Sequence, residues 1–280
     1  MASMREIKRR RNSIQSTQQI TKAMKLVSTV KLQRARANAE SAKAYFQYMY
    51  KTIHSIFAKV ELGNHPYIQG NGSKKIGIVT VTSNRGLAGG YNANIVRLVE
   101  KSGFVKEDVC IYAVGRKGVE GFARKGYEIV AEYSDMIDEP QFTDARHLGN
   151  EIIKDYMQGE IGEVYVAYTE FKNTVSHIPK LVKILPMETE MEAESSPMIL
   201  EPSEEEAIKL LVPKYVASIL YGAFVEAVAS ENGARMQAMD SATNNAEEII
   251  NDLELKYNRA RQGAITQELT EIIAGAEAIG

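Results

Sequence analysis

The stretch AEEIINDLELKYNRARQGA, Ala246–Ala264, decides the architecture of this chain. Its small and apolar residues recur in alternating steps of 4 and 3 positions. This alternation is typical of a coiled-coil seam and differs from the broader stripe of a helix on a globular core. Because no proline follows Pro213, one helix is predicted from about Lys214 to Ala278. The seam positions are Ala246, Ile250, Leu253, Tyr257, Ala260 and Ala264.

The length of this helix indicates that it projects from the rest of the protein. A helix of about 64 residues is roughly 95 Å long. A compact domain made from all 280 residues would measure only about 50 Å across. A projecting rod with apolar positions needs a partner chain, a membrane or a second copy to cover it, so the sequence predicts a component of an assembly.

A second long helix is predicted from Met4 to about Val60, because neither proline nor glycine occurs before Gly63. Ser3 and Glu6 have the spacing of a capping box at its start. Two long helices with heptad seams suit an antiparallel coiled coil, formed by residues 1–62 and 204–280. The apolar positions of the N-terminal helix are Ala39, Ala42, Phe46, Met49, Ile53, Ile56 and Val60.

Residues 63–203 are predicted to form a Rossmann-like α/β domain with a small, mostly parallel sheet, because apolar strands alternate with helices of about ten residues. Gly63–Lys75 is predicted as a loop, and the acidic segment Met187–Ser203 as a loop or an irregular hairpin. Ser203 is predicted to cap the final helix, and Pro213 to kink or split it. The predicted strands are Lys75–Thr82, Val109–Val114, Tyr127–Glu132, Glu163–Phe171 and Ser176–Leu185, and the predicted helices are Tyr91–Lys101, Lys117–Lys125 and Thr143–Met157.

Charge is distributed unevenly, although the net charge is only −2. Between Arg5 and Arg36 there are ten Lys or Arg residues and one acid, Glu6. Between Glu188 and Glu206 there are eight acids and no base. A basic arm and an acidic loop indicate two different partners. From these residues alone, the arm fits nucleic acid and an acidic protein loop about equally well, although it lacks aromatic residues on which bases could stack.

Composition also limits the cellular environment. Cys110 is the only cysteine, so there is no disulfide framework, and a reducing compartment is expected. No signal peptide is evident, and no apolar stretch approaches the ~20 residues that span a bilayer. Any membrane association is therefore expected to come through other subunits.

No catalytic or ligand-binding motif emerges. The turn Asn84–Gly90 follows a strand and opens a helix, where an α/β domain would bind phosphate, but it matches neither G-x-G-x-x-G nor G-x-x-x-x-G-K-[ST]. We interpret it as a tight turn with close helix–sheet packing. The four histidines (His54, His65, His147 and His177) lack metal-ligand spacing. We expect no cofactor, no metal and no catalysis by this chain alone.

Four motifs resemble the gamma subunit of F-type ATP synthases, in that family's order and from one end of the chain to the other. They are Ile20–Val27 (ITKAMKLV), Ser83–Gly90 (SNRGLAGG), Ala229-Ser230-Glu231 with Arg235-Met236 and Ala238-Met239, and Ile265–Ala278 (ITQELTEIIAGAEA). The lone Cys110 differs from plant chloroplast members, which carry a two-cysteine regulatory insert, and the uninterrupted central domain looks bacterial.

The resemblance implies a central rotor shaft that couples proton flow through a membrane sector to ATP synthesis or hydrolysis on beta subunits. It implies three alpha and three beta subunits, an epsilon subunit and a ring of c subunits as partners, without nucleic acid, at the cytoplasmic face of the cell membrane. It places c-ring contacts at Leu200 and Glu201. It places contacts with the beta subunits at Lys22, Met24, Lys25, Arg261, Gln262, Thr266 and Glu268.

Three other classes of protein remain as alternatives. A nucleic-acid-binding coiled-coil protein would show steeply salt-dependent binding. An α/β enzyme would bind a nucleotide at the Gly86–Gly90 turn, and a homomeric scaffold would assemble without partners.

Overall fold

The computed structural model describes residues 4–57, 65–174, 176–187 and 204–277. Two long helices bound the chain: α1, Met4–Phe57, and α6, Glu204–Glu277. α6 continues through Pro213, so the prediction that the proline could split this helix is wrong. Ile208, Val212 and Val216 are fully buried on either side of the proline. Their packing holds the helix together although the proline removes one backbone hydrogen bond.

The central elements match the predicted order, and every predicted strand and helix agrees to within one residue at each end. A short helix, α2, lies inside the segment predicted as a loop, and two 3-10 turns were not predicted. The elements are α2 Pro66–Gln69, β1 Ile76–Val81, α3 Tyr91–Glu100, a turn at Lys106–Asp108, β2 Val109–Val114, α4 Arg116–Lys125, β3 Glu128–Glu132, a turn at Ser134–Met136, α5 Phe142–Met157, β4 Glu163–Phe171 and β5 His177–Leu185.

The five strands form one sheet in the order β3-β2-β1-β4-β5. β1, β2, β3 and β4 are parallel, whereas β5 runs antiparallel to β4 along the edge. The order reverses at β1, which gives the sheet the switch point of a doubly wound α/β fold. This arrangement confirms the predicted Rossmann-like sheet.

Helices cover both faces of the sheet. On one face, Ile78 and Ile111 pack with Ile95 of α3 and Phe122 of α4. On the other face, the core includes residues of β1, β2 and β4 together with α5, the first part of α6 and Ile53 of α1. Members of that second core include Val79, Tyr112, Val166, Leu148, Ile152, Tyr156, Val216 and Phe224.

The chain divides into two compact units: Ser28–Arg235, and the chain before Ser28 together with the chain after Arg235. Within the second of these, α1 and α6 run antiparallel. Lys25 contacts Asp240, Thr21 contacts Thr243, and Arg11 contacts Glu254. This register confirms the predicted antiparallel coiled coil.

The predicted seam of α6 is also confirmed. Ala246 and Leu253 are buried, and Ile250, Tyr257, Ala260 and Ala264 are half-buried between exposed neighbours. In α1, Ala39 and Met49 are half-buried and Ile53 is buried. Several predictions lie outside the described residues or side chains: those for Ser3, Ala42, Phe46, Ile56, Val60 and the acidic loop up to Ser203.

Candidate functional site

The first group of predicted contact residues lies on one turn of α1, beside the coiled-coil seam. Lys22 is exposed, and Met24 and Lys25 are half-buried. The Lys25 ammonium group lies 2.6 Å from Asp240 Oδ1 on α6. A buried pair of hydroxyls, Thr21 Oγ1 and Thr243 Oγ1, lies 2.7 Å apart nearby. The structure therefore gives Lys25 a role within the coiled coil itself.

The outward face of the same turn is apolar, which the sequence analysis did not assign to the site. Ile20, Leu26 and Val27 are 58–68% exposed. Ala23 is also exposed between them. Large apolar groups on an outward helix face are typical of an interaction surface. The sequence does contain a sign of this surface: these large apolar residues lie among the cations of the basic arm, where a solvated helix face would carry polar residues.

The second group, Arg261, Gln262, Thr266 and Glu268, is exposed near the end of α6. In the coiled coil, the residue numbers of two residues that face each other add up to about 265. Met4 of α1 therefore lies opposite residue 261. Beyond that point the described part of α1 offers α6 no partner. Ile265, Leu269, Ile272 and Ile273 are accordingly 49–67% exposed. The end of α6 presents both polar and apolar groups to its surroundings.

The two groups form separate sites. Asp240, which pairs with Lys25, and Arg261 are 21 positions apart on α6, which corresponds to about 30 Å along a helix. Leu200 and Glu201, predicted at a third contact, lie outside the described residues. The described residues predicted as contacts therefore lie at two levels along the coiled coil.

Three cations of the basic arm are paired with acids of the same chain. Arg11 lies 3.8 Å from Glu254, Lys25 lies 2.6 Å from Asp240, and Arg36 lies 3.6 Å from Glu40. Part of the arm's charge is therefore used inside the protein, which reduces the charge available for tracking phosphates.

The glycine-bearing turn between β1 and α3 has its own side-chain partners. Ser83 N–H donates to Asn92 Oδ1 at 2.9 Å. Arg116 N–H donates to Asn84 Oδ1 at 3.1 Å. Gly118 N–H donates to Thr82 Oγ1 at 2.8 Å. These backbone amides lie where an α/β domain would offer donors to a phosphate, but side chains of this protein occupy them.

Arg235 of α6 fills the space beside this turn. It donates to Arg85 O at 3.2 Å and to Gly86 O at 3.4 Å, and it pairs with Glu231 at 2.6 Å. The side chains of Glu231 and Arg235 are only 12% and 11% exposed. Burial raises the pKa of the Glu231 carboxyl, and the nearby Arg235 guanidinium opposes that shift. Both residues belong to a motif recognised in the sequence, but nothing in that motif indicates a contact with a turn about 150 positions away.

The three histidine side chains that the structure describes lie on separate elements. His65 caps α2, His147 lies 3.9 Å from Glu151 at the surface, and His177 is half-buried at the start of β5, while the His54 side chain is outside the described set. Among the side chains that the structure describes, no three His, Cys, Asp or Glu residues are placed to hold a metal ion.

One helix in the described part of the chain is long and apolar enough to cross a membrane, within Glu206–Ala276 of α6. This corrects the expectation that no stretch is sufficiently apolar. However, 56% of its most apolar window is buried inside the protein, which is typical of a helix that packs into a core.

The chain is similar to proteins of one family along its whole length. The family model described as ATP synthase matches residues 3–279. The ATP synthase gamma chain of Lachnoclostridium phytofermentans is 58% identical over 290 aligned positions, with complete coverage of both chains. The gamma chain of the Acetobacterium woodii enzyme, described as sodium ion specific, is 38% identical and covers 99% of each chain.

Solved structures give the same result. A chain in the central stalk and c-ring of the Tetrahymena thermophila mitochondrial ATP synthase matches with a TM-score of 0.61 and 25% identity, over 80% of this chain and 99% of that one. A chain of the Euglena gracilis mitochondrial ATP synthase shares the fold with a TM-score of 0.73 at 17% identity, over 99% of this chain and 94% of that one.

Proposed function

The chain belongs to the ATP synthase gamma-chain family, and we propose that it is the rotating shaft that couples proton flow through the membrane sector to ATP synthesis and hydrolysis. The enzyme complex, rather than this chain alone, would carry the catalysis, at sites on the beta subunits. The chain would lie at the cytoplasmic face of the cell membrane and reach the membrane only through other subunits. It would bind no nucleic acid.

The exposed apolar end of α6 is the observation that carries this proposal. Ile265, Leu269 and Ile272, at positions i, i+4 and i+7, form an apolar stripe along the helix and are about half to two-thirds exposed. An exposed apolar stripe at the end of a helix needs a partner that covers it. A sleeve of alpha and beta subunits fits that requirement. A weakly polar contact between the sleeve and the end of α6 would let that end turn.

The coiled coil below this end supports the transmission of torque. Two helices joined by Leu253, Thr21 and Thr243 resist twisting better than one helix. Because the faces of the rod differ, it would present a different surface to each of three identical beta subunits. Differential contacts of that kind bias otherwise identical sites toward different conformations and nucleotide affinities.

We propose the predicted residues as the contacts of this shaft. Residues 1–62 and 204–280 would form the shaft, and residues 63–203 the body that binds the epsilon subunit and the c-ring. Leu200 and Glu201 would touch the c-ring. The contacts with beta would be Lys22, Met24 and Lys25 at the lower level and Arg261, Gln262, Thr266 and Glu268 at the upper level.

The experiment that tests this proposal is a native purification through an affinity tag on this chain, in mild detergent, followed by intact mass measurement and an ATPase assay. We expect one copy of the chain for every three alpha and three beta subunits, with ATP hydrolysis. Recovery of the chain as a homo-oligomer or with nucleic acid would contradict the proposal. Measuring synthesis with a proton or a sodium gradient would identify the coupling ion, since one relative is described as sodium specific.

A further inference from the structure

Residues 227–235 of α6 contact the carboxyl end of β4 and the turn after β1, beside the switch point of the sheet. In doubly wound folds, ligands bind in the crevice outside the carboxyl ends of the strands at this point. Here Ser230 Oγ of α6 donates to Thr169 O of β4 at 2.9 Å. The buried hydroxyl of Tyr91, at the start of α3, donates to Ala227 O at 3.2 Å. The crevice that could hold a ligand instead holds the chain's own helix.

The Glu231–Arg235 pair attaches the same part of α6 to the turn after β1. The Arg235 guanidinium donates to the carbonyls of Arg85 and Gly86 while Glu231 holds it from the other side. A planar guanidinium with several donors fixes both direction and position of the helix relative to the turn. The side chains of Glu231 and Arg235 are buried, whereas Arg85 and Gly86 are exposed in the turn.

A third attachment comes from β5. A Cβ atom added to Gly233 would lie 2.5 Å from Nε2 of His177, so only glycine lets the imidazole approach the helix this closely. His177 in turn packs against Phe171, with ring centroids 5.9 Å apart. β4, through Thr169, and the start of β5, through His177, therefore both contact α6.

The attachments are spread around the helix. Successive residues of an α-helix are about 100° apart around its axis. With Ala227 at the origin, Ser230, Glu231, Gly233 and Arg235 lie at about 300°, 40°, 240° and 80°. The attached positions cover an arc of roughly 200°. A helix held on one side can roll about its axis, whereas hydrogen bonds and close packing over more than half of its circumference oppose such rolling.

We propose that these contacts form a half collar, made by Arg85, Gly86, Tyr91, Thr169 and His177, that locks α6 against rolling in the body. On this view, the half collar is the joint through which torque passes between the α/β body and the shaft. The inference rests on the proposed rotation of the chain, and it assigns Tyr91, Ser230, Gly233 and Arg235 a positioning role.

The test measures the torsional stiffness of this joint in the assembled complex. A probe on the body, through a cysteine introduced at the exposed Val105, reports angular fluctuations while the alpha and beta subunits are fixed. The double variant Tyr91→Phe/Ser230→Ala removes two of the contacts and keeps nearly the same buried volume. Individual hydrogen bonds have similar net strengths, so each contact of the half collar is taken to contribute comparably to its torsional stiffness. Because the loss of two contacts lowers that stiffness, we expect the angular variance to rise about 1.5-fold.

The matched control is Ser218→Ala. The Ser218 hydroxyl is buried on the same helix, but it donates to Lys214 O within α6 and not to the sheet edge. It should leave the angular variance unchanged. The single variants Tyr91→Phe and Ser230→Ala serve if the double variant does not assemble, and each should give a smaller rise.

The outcomes separate the half collar from the proposed function. An unchanged variance in the collar variants, in a complex whose native body rotates with ATP, would overturn the half collar alone. A native body that does not rotate would overturn the proposed function. If the angular variance rose equally in the Tyr91→Phe and Ser230→Ala variants and in Ser218→Ala, the cause would be a general loosening of α6. That result would also overturn the inference.

Discussion

Lys25 of α1 and Asp240 of α6 are held together at 2.6 Å, next to the buried hydroxyl pair of Thr21 and Thr243. Both charged side chains are nearly half exposed. Exposed ion pairs contribute about 0–1 kcal/mol because water and salt screen them. The shorter, charged contact is therefore expected to matter less for stability than the buried neutral one.

We predict that Asp240→Asn lowers the free energy of unfolding by less than about 1 kcal/mol, and less at high salt. Thr243→Val is expected to cost about 1–2 kcal/mol, because Thr243 also donates to Met239 O inside the coil. Urea unfolding of the full chain at low and high salt measures both. Asp252→Asn, at an exposed pair with Lys256 on the same helix, is the matched control. A larger loss for Asp240→Asn than for Thr243→Val would contradict this ranking.

The coiled-coil seam makes a prediction for two leucines that are two positions apart. Leu253 is 6% exposed, whereas Leu255 is 60% exposed. Leu253→Ala should destabilise the chain by about 2–3 kcal/mol through lost burial and a residual cavity. Leu255→Ala should change stability by no more than about 0.5 kcal/mol. Equal effects in thermal or urea unfolding would show that the two helices do not pair in this register.

At the exposed end of α6, a substitution is predicted to impair assembly of the complex without changing the stability of the chain. Because Ile272 is 67% exposed, Ile272→Glu should leave the melting temperature of the full chain unchanged. If the end turns inside a sleeve of weak polarity, the same change should reduce the yield of complex in affinity purification severalfold. Asn258→Glu introduces the same charge at an exposed position lower on α6 and should have little effect. Full assembly with Ile272→Glu would argue against a close-fitting sleeve.

The single cysteine is expected to be unreactive in the folded chain. Burial and the neighbouring Glu128 carboxylate raise the pKa of the Cys110 thiol, which lowers the thiolate fraction at neutral pH. Alkylation by iodoacetamide at pH 7.5 should be at least about tenfold slower in the native chain than in urea, and it should accelerate as pH rises. A cysteine at the exposed Val105 supplies the reference rate. Comparable native rates at the two positions would show that the β2–β3 edge opens readily.

The elements themselves could be predicted from local sequence. The run Val109–Val114 is apolar throughout and became a strand buried on both faces, with the predicted ends. Ala246 to Ala264 gave the coiled-coil seam because its steps of 4 and 3 follow directly from helix geometry. The alternative that Pro213 splits the final helix is wrong because packing of the neighbouring residues, and not local propensity, decides whether a helix continues.

The attachments between distant elements could not be predicted in the same way. Glu231 and Arg235 have the spacing of an ordinary surface pair, but tertiary packing buries them against Arg85 and Gly86. Likewise, Lys25 was assigned to an external contact, and its ion pair with Asp240 depends on the register of two helices more than 200 positions apart. Neither contact leaves a local pattern in the sequence.

The most direct test of the central claim is to watch the body turn. Because Cys110 is buried and no other cysteine occurs in the chain, a cysteine at Val105 can carry a bead or fluorophore at one site. The labelled chain is assembled with cysteine-free alpha and beta subunits fixed to a surface, and ATP is added. Rotation in one direction, with three pauses in each turn, is the predicted result. A probe that stays fixed or moves randomly while ATP is hydrolysed at the normal rate would contradict the account of this chain as a rotating shaft.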